Sequence, residues 1–169
     1  MIFVERVNKS LDYFLKKSKK NFIIGEDLLD PYGGAFKATK GLSSKYKKQV
    51  IATPISESAF LGMATGMTFT GSNVVVEIMF SDFLTIISDI LINTTSKINL
   101  INKELLKGKI IIRTPNGGRR GYGPIHSQSL EKIFFGFSEI NIIALSRLFD
   151  PYEIYKKIFS EKNEDKINL

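Results

Sequence analysis

Short apolar runs alternate along this chain with longer segments of helical periodicity, and this alternation limits the folds that the chain can adopt. The runs predict strands at 22–24, 50–52, 74–79, 109–113 and 140–145. The segments around them predict helices at 2–17, 42–48, 57–69, from 81 or 82 to about 97, 130–135 and 151–160. Strands that are apolar on both sides and joined by helices indicate a parallel sheet buried on both faces. We therefore predict an α/β fold of three layers, a parallel sheet flanked by helices.

The length of 169 residues fits one domain. We assign residues 1–160 to that domain and residues 161–169 to a polar C-terminal tail that frays. The sequence contains no cysteine, which excludes a thiol nucleophile and a thiolate metal site. It contains one histidine, His126, which excludes a multi-histidine metal centre, and we predict no metal site on this chain.

The sequence predicts neither a signal peptide nor a membrane span. Glu5 and Arg6 place charges ahead of any long apolar run. The apolar stretches at 74–80 and 83–92 are each interrupted by a carboxylate. Both are much shorter than the roughly 20 residues that a spanning helix needs. We therefore expect a cytoplasmic protein that does not bind membranes.

The net charge of +7 permits an anionic partner without requiring one. Lysine clusters at 16–20 and 45–48 leave nucleic-acid binding open as an alternative function. The sequence lacks a known nucleic-acid reader motif and a surface pattern of aromatic and basic residues, so we predict no nucleic-acid partner. Retention on DNA at low ionic strength tests this alternative.

Loops that follow the strands of an open parallel sheet meet at one edge, where such sheets bind ligands. The loops at 25–36, 53–57, 79–83 and 114–128 are therefore expected to converge. Glu57 has two interpretations: a first-turn acid that complements the helix dipole, or a buried carboxyl whose pKa is raised so that it exchanges protons near neutral pH. His126 is either a loop histidine bonded to the backbone or a general acid/base.

Other unusual residues near this edge also have two interpretations. Four glycines surround two arginines between residues 117 and 123, in a segment that is either a flexible turn or a lid that closes on an anionic ligand or a partner chain. The segment lacks the Gly-Lys-Ser/Thr ending of a phosphate-binding loop, and no dinucleotide fingerprint follows the first strand. Met79, Phe80 and Phe83 are either core residues or walls of a ligand site.

Four segments of the chain together resemble a known family. They are Gly25-Glu-Asp-Leu-Leu-Asp-Pro-Tyr-Gly-Gly continuing to Leu42, Thr53-Pro-Ile-Ser-Glu57, Val76-Glu-Ile-Met-Phe-Ser-Asp-Phe83, and Arg113-Thr-Pro-Asn-Gly-Gly118 through His126-Ser-Gln-Ser-Leu-Glu131. In order and spacing they resemble the β-subunits of the thiamine-diphosphate-dependent component of 2-oxo acid dehydrogenases, of the pyruvate and branched-chain type. The resemblance covers nearly the whole chain. It implies the thiamine-diphosphate-binding fold, with this chain as a transketolase-like pyrimidine-binding domain.

The resemblance also implies roles for individual residues. Glu57 takes the position of the glutamate that activates the cofactor through a nitrogen of its aminopyrimidine ring. Phe83 takes the position of the aromatic residue that stacks on that ring, and Met79 lies in the wall of the same pocket. His126 takes the position of a loop histidine that assists proton transfer and passage of the acyl group to lipoamide. Glu26 matches an acidic position of a tunnel that links two cofactor sites in some relatives.

The resemblance implies an enzyme subunit that is inactive alone. Such a subunit forms the pyrimidine half of a thiamine diphosphate site and activates the cofactor for decarboxylation and acyl transfer. The implied partner is an α-type chain that carries the diphosphate and Mg²⁺ site, in a homodimer or heterotetramer. Family β-subunits carry a second, C-terminal domain, which we expect to be absent here or supplied by a separate chain. The alternatives are a split transketolase-like enzyme acting on ketoses and a non-catalytic assembly or regulatory paralogue.

Overall fold

Six parallel strands form one sheet in the computed structural model, which describes residues 2–102, 105–160 and 167–169. The strands are β1 (Asn21–Gly25), β2 (Val50–Ala52), β3 (Asn73–Glu77), β4 (Ile110–Arg113), β5 (Ile140–Asn141) and β6 (Ile167–Asn168). Their order across the sheet is β2-β1-β3-β4-β6-β5. Every one of these pairings is parallel, so the carboxyl ends of the strands lie at one edge.

The connections between the strands are mostly helical. The α-helices are α1 (Phe3–Lys17), α2 (Leu42–Lys45), α3 (Glu57–Phe69), α4 (Ile98–Ile101) and α5 (Pro151–Ser160). Short 3₁₀ turns lie at Ala35–Lys37, Ser81–Thr85, Pro124–His126 and Glu131–Phe134, and a π-helix spans Ile90–Thr95. The predicted helices at 57–69 and 151–160 are confirmed with the predicted bounds.

Both faces of the sheet are buried, because successive residues of the central strands point to opposite sides. One side takes Ile23, Val75 and Ile111, and the other takes Ile24, Val76 and Ile112. Helices α1 and α5 pack on the first side, where the rings of Phe14 and Phe159 stack 4.6 Å apart. Helix α3 and the segment 84–91 cover the second side. The predicted architecture of three layers is confirmed.

The predicted helix from 81 or 82 to about 97 is wrong as one continuous helix. A 3₁₀ turn at Ser81–Thr85 and the π-helix at Ile90–Thr95 replace it. Hydroxyl groups in this segment donate to nearby carbonyls, with Ser88 bonded to Thr85 at 2.7 Å and Ser96 bonded to Ile92 at 2.7 Å.

The end of the described chain also differs from its prediction. Residues 161–166 of the predicted tail lie outside the described residues, but residues 167–168 form strand β6 between β4 and β5. Ile167 is 5% exposed, so its burial outweighs the fraying expected from the polar residues before it. The predicted strand at 140–145 is shorter than expected, because only Ile140 and Asn141 form regular strand structure.

The parallel topology brings together the loops that carry the candidate site residues. The segments after β1, β2, β3 and β4 all leave the sheet at its carboxyl edge, as the sequence predicts. Within the described ranges, no helix combines the length and the apolar character that crossing a membrane requires.

Candidate functional site

Glu57 is the first residue of α3 and lies close behind the carboxyl end of β2. Its side chain is buried, with 5% exposed. Ser56 is the N-cap residue of α3 but makes no side-chain capping bond, although its backbone oxygen accepts a hydrogen bond from the Phe60 N–H at 3.1 Å. The Ser58 hydroxyl donates to the Ile86 carbonyl at 2.7 Å and ties this turn to the segment after β3. A carboxyl in the first turn of a helix is also favoured by the helix dipole.

A second buried carboxyl lies beside Glu57. Glu26 follows β1 and is 7% exposed, and its Oε1 atom has no hydrogen-bond partner among the described residues. Burial raises the pKa of Glu26, and the nearby charges of Glu57 and Asp27 raise it further, while a hydrogen bond with the Ser56 backbone opposes the rise. Two carboxyls that share a buried site favour retention of a proton between them. Glu26 can therefore keep a proton to a higher pH than an exposed carboxyl, and it does so next to Glu57.

Close contact between β1 and β3 sets the position of Glu26. Gly25 pairs with Glu77, and a Cβ atom built at Gly25 would lie 2.5 Å from the Glu77 carbonyl oxygen. No side chain fits at that distance, so only glycine allows the two strands to approach here. The chain then leaves the sheet directly into the buried carboxyl pair.

Below the edge, the strand ends are joined by a buried ion pair that the sequence did not predict. Arg113 at the end of β4 donates to Glu77 at the end of β3, and their side chains are 12% and 2% exposed. Burial has the largest single effect and opposes the charged form of Arg113, but the charge of Glu77, the proximity of Tyr155 and hydrogen bonding together outweigh it and raise the pKa of Arg113 above its usual value. The Tyr155 hydroxyl of α5 lies close enough to Arg113 to act as an acceptor for its guanidinium. Because the pairing depends on strand register, no local sequence signal reveals it.

Aromatic rings from three loops meet at the same edge. The His126 ring lies edge-to-face with Phe80 and Phe83, at centroid distances of 4.7 and 5.5 Å. Phe80 also contacts Phe36 at 6.0 Å and Tyr122 at 5.8 Å. Each edge-to-face contact of this kind contributes about 0.5–1.5 kcal/mol beyond burial. The contribution of Phe36 and Tyr122 was not predicted, because it arises from loops far apart in sequence.

The glycine-rich segment is docked against the loop after β1. Arg120 lies over the Phe36 ring at 4.9 Å and donates to the Asn116 carbonyl at 2.9 Å and to the Gly117 carbonyl. Tyr122 contacts the same Phe36 ring at 6.1 Å. Phe36 has a positive φ of 56°, which is uncommon for a bulky residue, and these ring contacts hold it there. In the structure this glycine-rich segment therefore lies packed against Phe36.

Asp82 and Ser81 hold the segment that follows His126. Asp82 is buried, and its Oδ1 atom accepts hydrogen bonds from the Gln128 side-chain amide at 2.9 Å and from the Gln128 backbone at 3.3 Å. The Ser81 hydroxyl donates to the Gln128 carbonyl at 2.7 Å. Neither side chain makes a capping bond to the 3₁₀ turn that these residues begin.

The predicted site residues therefore fall into two groups at one edge. Glu26 and Glu57 form the buried carboxyl pair, and Phe83 and His126 are in ring contact. Met79 follows β3 and is half-buried. Across residues 2–102, 105–160 and 167–169, no three side chains of the His, Cys, Asp or Glu type cluster in a way that could hold a metal ion.

The fold and this edge define a class of protein: a parallel α/β domain with acidic and aromatic side chains gathered at the carboxyl ends of its strands. Comparison with known families places it further. Residues 3–165 match the family described as "Transketolase, pyrimidine binding domain". The chain belongs to this family.

Individual relatives agree with that assignment. The chain is 32% identical over 164 residues to the pyruvate dehydrogenase E1 component subunit beta of Gracilaria tenuistipitata var. liui, covering 96% of this chain and 50% of the relative. It is 33% identical over 141 residues to the mitochondrial subunit beta-1 of Arabidopsis thaliana, covering 83% of this chain and 39% of the relative. The chain thus spans about half the length of the curated relatives that it matches, or less.

A solved structure is similar in fold. The structure titled "Split gene transketolase, inactive beta4 tetramer" superposes with a TM-score of 0.70 at 18% identity, covering 97% of this chain and 48% of the other. The predicted fold class and the predicted family resemblance are both confirmed.

Proposed function

We propose that this chain forms the pyrimidine-binding half of a thiamine diphosphate site in an enzyme of the 2-oxo acid dehydrogenase type. The observation that carries the proposal is the buried pair of Glu57 and Glu26 at the carboxyl edge of the sheet. The relatives named as pyruvate dehydrogenase E1 component subunits beta support the same class of reaction.

The side chains at this edge fit the pyrimidine end of that cofactor. A buried carboxyl with an unpartnered oxygen suits the polar edge of a heteroaromatic ring, and Glu26 provides such an oxygen beside Glu57. The half-buried Phe83 ring and Met79 supply apolar surface for a planar group. When bound, thiamine diphosphate supplies a nucleophilic carbon that attacks the keto carbon of a 2-oxo acid.

The residues of this chain have proton-handling and positioning roles in the proposal. Glu57 holds a proton at its carboxyl and presents it to a nitrogen of the pyrimidine ring. Glu26 lies next to Glu57 as a second carboxyl, and burial followed by the nearby charges of Glu57 and Asp27 raises the pKa of Glu26, so that it retains its own proton more readily than an exposed carboxyl. His126 holds a proton at its imidazole during passage of the acyl group to lipoamide.

The proposal includes a second type of chain. The relatives are named as subunits beta of an E1 component, which supports an assembly with a partner of α type. We propose that this partner binds the diphosphate and its Mg²⁺ ion, and that the chain described here is inactive without it.

Reconstitution with such an α-type chain tests the proposal. The readout is the reduction of an artificial electron acceptor that depends on pyruvate or a branched-chain 2-oxo acid. We expect Glu57→Gln to lower the turnover by about 100-fold or more, which is the usual loss when a positioned acid or base is removed. The matched control is Glu153→Gln, which neutralises an exposed carboxylate on α5. Equal turnover in the two variants contradicts the role of Glu57.

The same preparation distinguishes the alternatives. Turnover with a ketose donor and an aldose acceptor, but not with 2-oxo acids, identifies a split transketolase-like enzyme. A complex that forms with the α-type chain but turns over neither substrate class identifies a non-catalytic assembly or regulatory paralogue.

A further inference from the structure

We propose that Asp82 is a positioning residue for His126 and that it acts through Gln128. The consequence for catalysis rests on the proposed function, but the positioning itself is a property of this chain. Four consecutive residues, 80–83, hold the segment 126–128: the outer two contact the imidazole ring, and the inner two bond to Gln128.

Gln128 is fixed at three points. Its side-chain amide donates to Asp82 Oδ1 at 2.9 Å, and its backbone N–H donates to the same oxygen at 3.3 Å. Its carbonyl accepts from the Ser81 hydroxyl at 2.7 Å and from the Gly117 backbone N–H at 3.4 Å. Hydrogen bonds to an ionised acceptor are stronger than neutral ones, so the Asp82 carboxylate is the main anchor.

Asp82 is itself held firmly enough to serve as an anchor. Its side chain is 7% exposed, and it lies in the 3₁₀ turn Ser81–Thr85. The backbone N–H of Ser81 donates to the Pro115 carbonyl at 3.0 Å, and the Thr85 hydroxyl donates to the Asp82 carbonyl at 3.0 Å. The turn is therefore bonded both to its own backbone and to the loop that leads toward His126.

His126 needs an anchor outside its own ring. Among the described residues, its imidazole makes ring contacts with Phe80 and Phe83 but no hydrogen bond. Gly121 and Gly123, both with positive φ, precede it, and the 3₁₀ turn Pro124–His126 holds its backbone through a bond from the His126 N–H to the Gly123 carbonyl at 3.4 Å, but neither bonds the ring. Phe80 and Phe83 also contact each other at 5.9 Å, so the imidazole lies against a pair of packed rings. The bonds from Gln128 to Asp82 come two residues after His126 and hold the chain beside that pair, which fixes where the imidazole lies.

The lone histidine makes this inference measurable in the chain without a partner. Since His126 is the only histidine in the sequence, its imidazole proton signals in a nuclear magnetic resonance spectrum can be assigned without comparing histidine variants. Centroid distances of 4.7 and 5.5 Å predict cross-relaxation between these protons and the ring protons of Phe80 and Phe83. We expect Asp82→Ala to abolish these cross-peaks, while the control Glu153→Gln keeps them.

Two further variants separate positioning from general destabilisation. Asp82→Asn retains the oxygen that accepts both bonds, so we expect it to keep the cross-peaks. Gln128→Glu places a carboxylate against Asp82, so we expect this variant to lose the cross-peaks. The double variant D82N/Q128E is expected to recover the cross-peaks, because an amide again faces a carboxylate. The far-UV circular dichroism spectrum checks that each variant is folded. Cross-peaks that persist in folded Asp82→Ala, or fail to return in D82N/Q128E, overturn the proposal.

The catalytic consequence has its own readout in the reconstituted enzyme. We expect Asp82→Ala to slow acyl transfer to lipoamide when His126 is present and to have no further effect in a His126→Ala background. Additive losses in the double variant contradict action through His126. If the wild-type assembly shows no turnover at all, the proposed function fails, whereas the cross-peaks in the isolated chain still decide whether Asp82 positions the ring.

Discussion

Removing one partner of the buried pair between Glu77 and Arg113 is expected to destabilise the fold strongly. The two side chains are 2% and 12% exposed, so neither charge can be solvated once its partner is lost. Breaking a buried ion pair from one side costs about 3–5 kcal/mol, because an uncompensated charge remains in the interior. We therefore expect Glu77→Leu and Arg113→Met each to lower the free energy of unfolding by that amount.

The double variant E77L/R113M provides the decisive comparison. Replacing both charges with apolar side chains leaves no uncompensated charge, and such replacements are often neutral or stabilising. Urea unfolding followed by far-UV circular dichroism measures all four proteins, and the slopes with denaturant show whether the unfolded surface changes. The Tyr155 hydroxyl loses a partner in both variants that lack Arg113, so its contribution cancels between them.

The test compares the stability lost in the double variant with the sum of the losses in the two single variants. A double variant that is more stable than either single variant identifies the lone charge as the source of the cost. If the single variants each lose less than about 1 kcal/mol, or if their losses simply add, then the pair is solvated in solution and the reasoning from burial is refuted.

Four further substitutions probe other parts of the fold. Gly25→Ala is expected to lower the free energy of unfolding by about 1–3 kcal/mol, because its Cβ would lie 2.5 Å from the Glu77 carbonyl oxygen. In Gly66→Ala the new Cβ meets no atom within 4 Å, so this variant should stabilise helix α3 by about 0.5–1 kcal/mol. Urea unfolding compares the two variants. Leu61→Ala removes a fully buried side chain and should cost about 2–5 kcal/mol in the same assay. Hydrogen bonds from Ser44, the Gly41 backbone and Ser43 hold the Asp30 pKa well below 3.8. The wild type therefore has the stabilisation from this carboxylate above pH 3.8 and loses it as the pH falls through the lowered pKa, so Asp30→Asn should flatten the acid limb of the stability profile. An acid limb that is unchanged in the variant contradicts this role of Asp30.

The sheet and its main helices could be predicted because their signals are local. Consecutive apolar residues at Val74–Val76 indicate a strand that is buried on both faces of the sheet. Helix α3 begins and ends at the residues predicted from its sequence. Strand β6 could not be predicted, since two residues next to a polar stretch carry almost no periodic signal. The π-helix at Ile90–Thr95 was not predicted, since a hydrophobic pattern indicates a helix without specifying how it is wound.

The candidate site divides in the same way. Convergence of the loops follows from parallel topology alone, so the common location of Glu57 and His126 could be predicted from the order of elements. The bonds from Gln128 to Asp82 and from Arg113 to Glu77 join residues 46 and 36 positions apart. Which partners meet across such separations depends on strand register and loop path, and a single sequence does not specify these.

Strand β6 has a consequence for how the protein is made. It pairs with β4 on one side and with β5 on the other, and in the described part of the chain β5 has no other strand partner. Ile140 is synthesised and emerges from the ribosome well before Ile167, so β5 emerges without β6, the strand that joins it to the sheet. The nascent chain therefore holds an unfinished edge until residues 167–169 are synthesised, and stalled or shortened products should be preferred targets for chaperones and proteases.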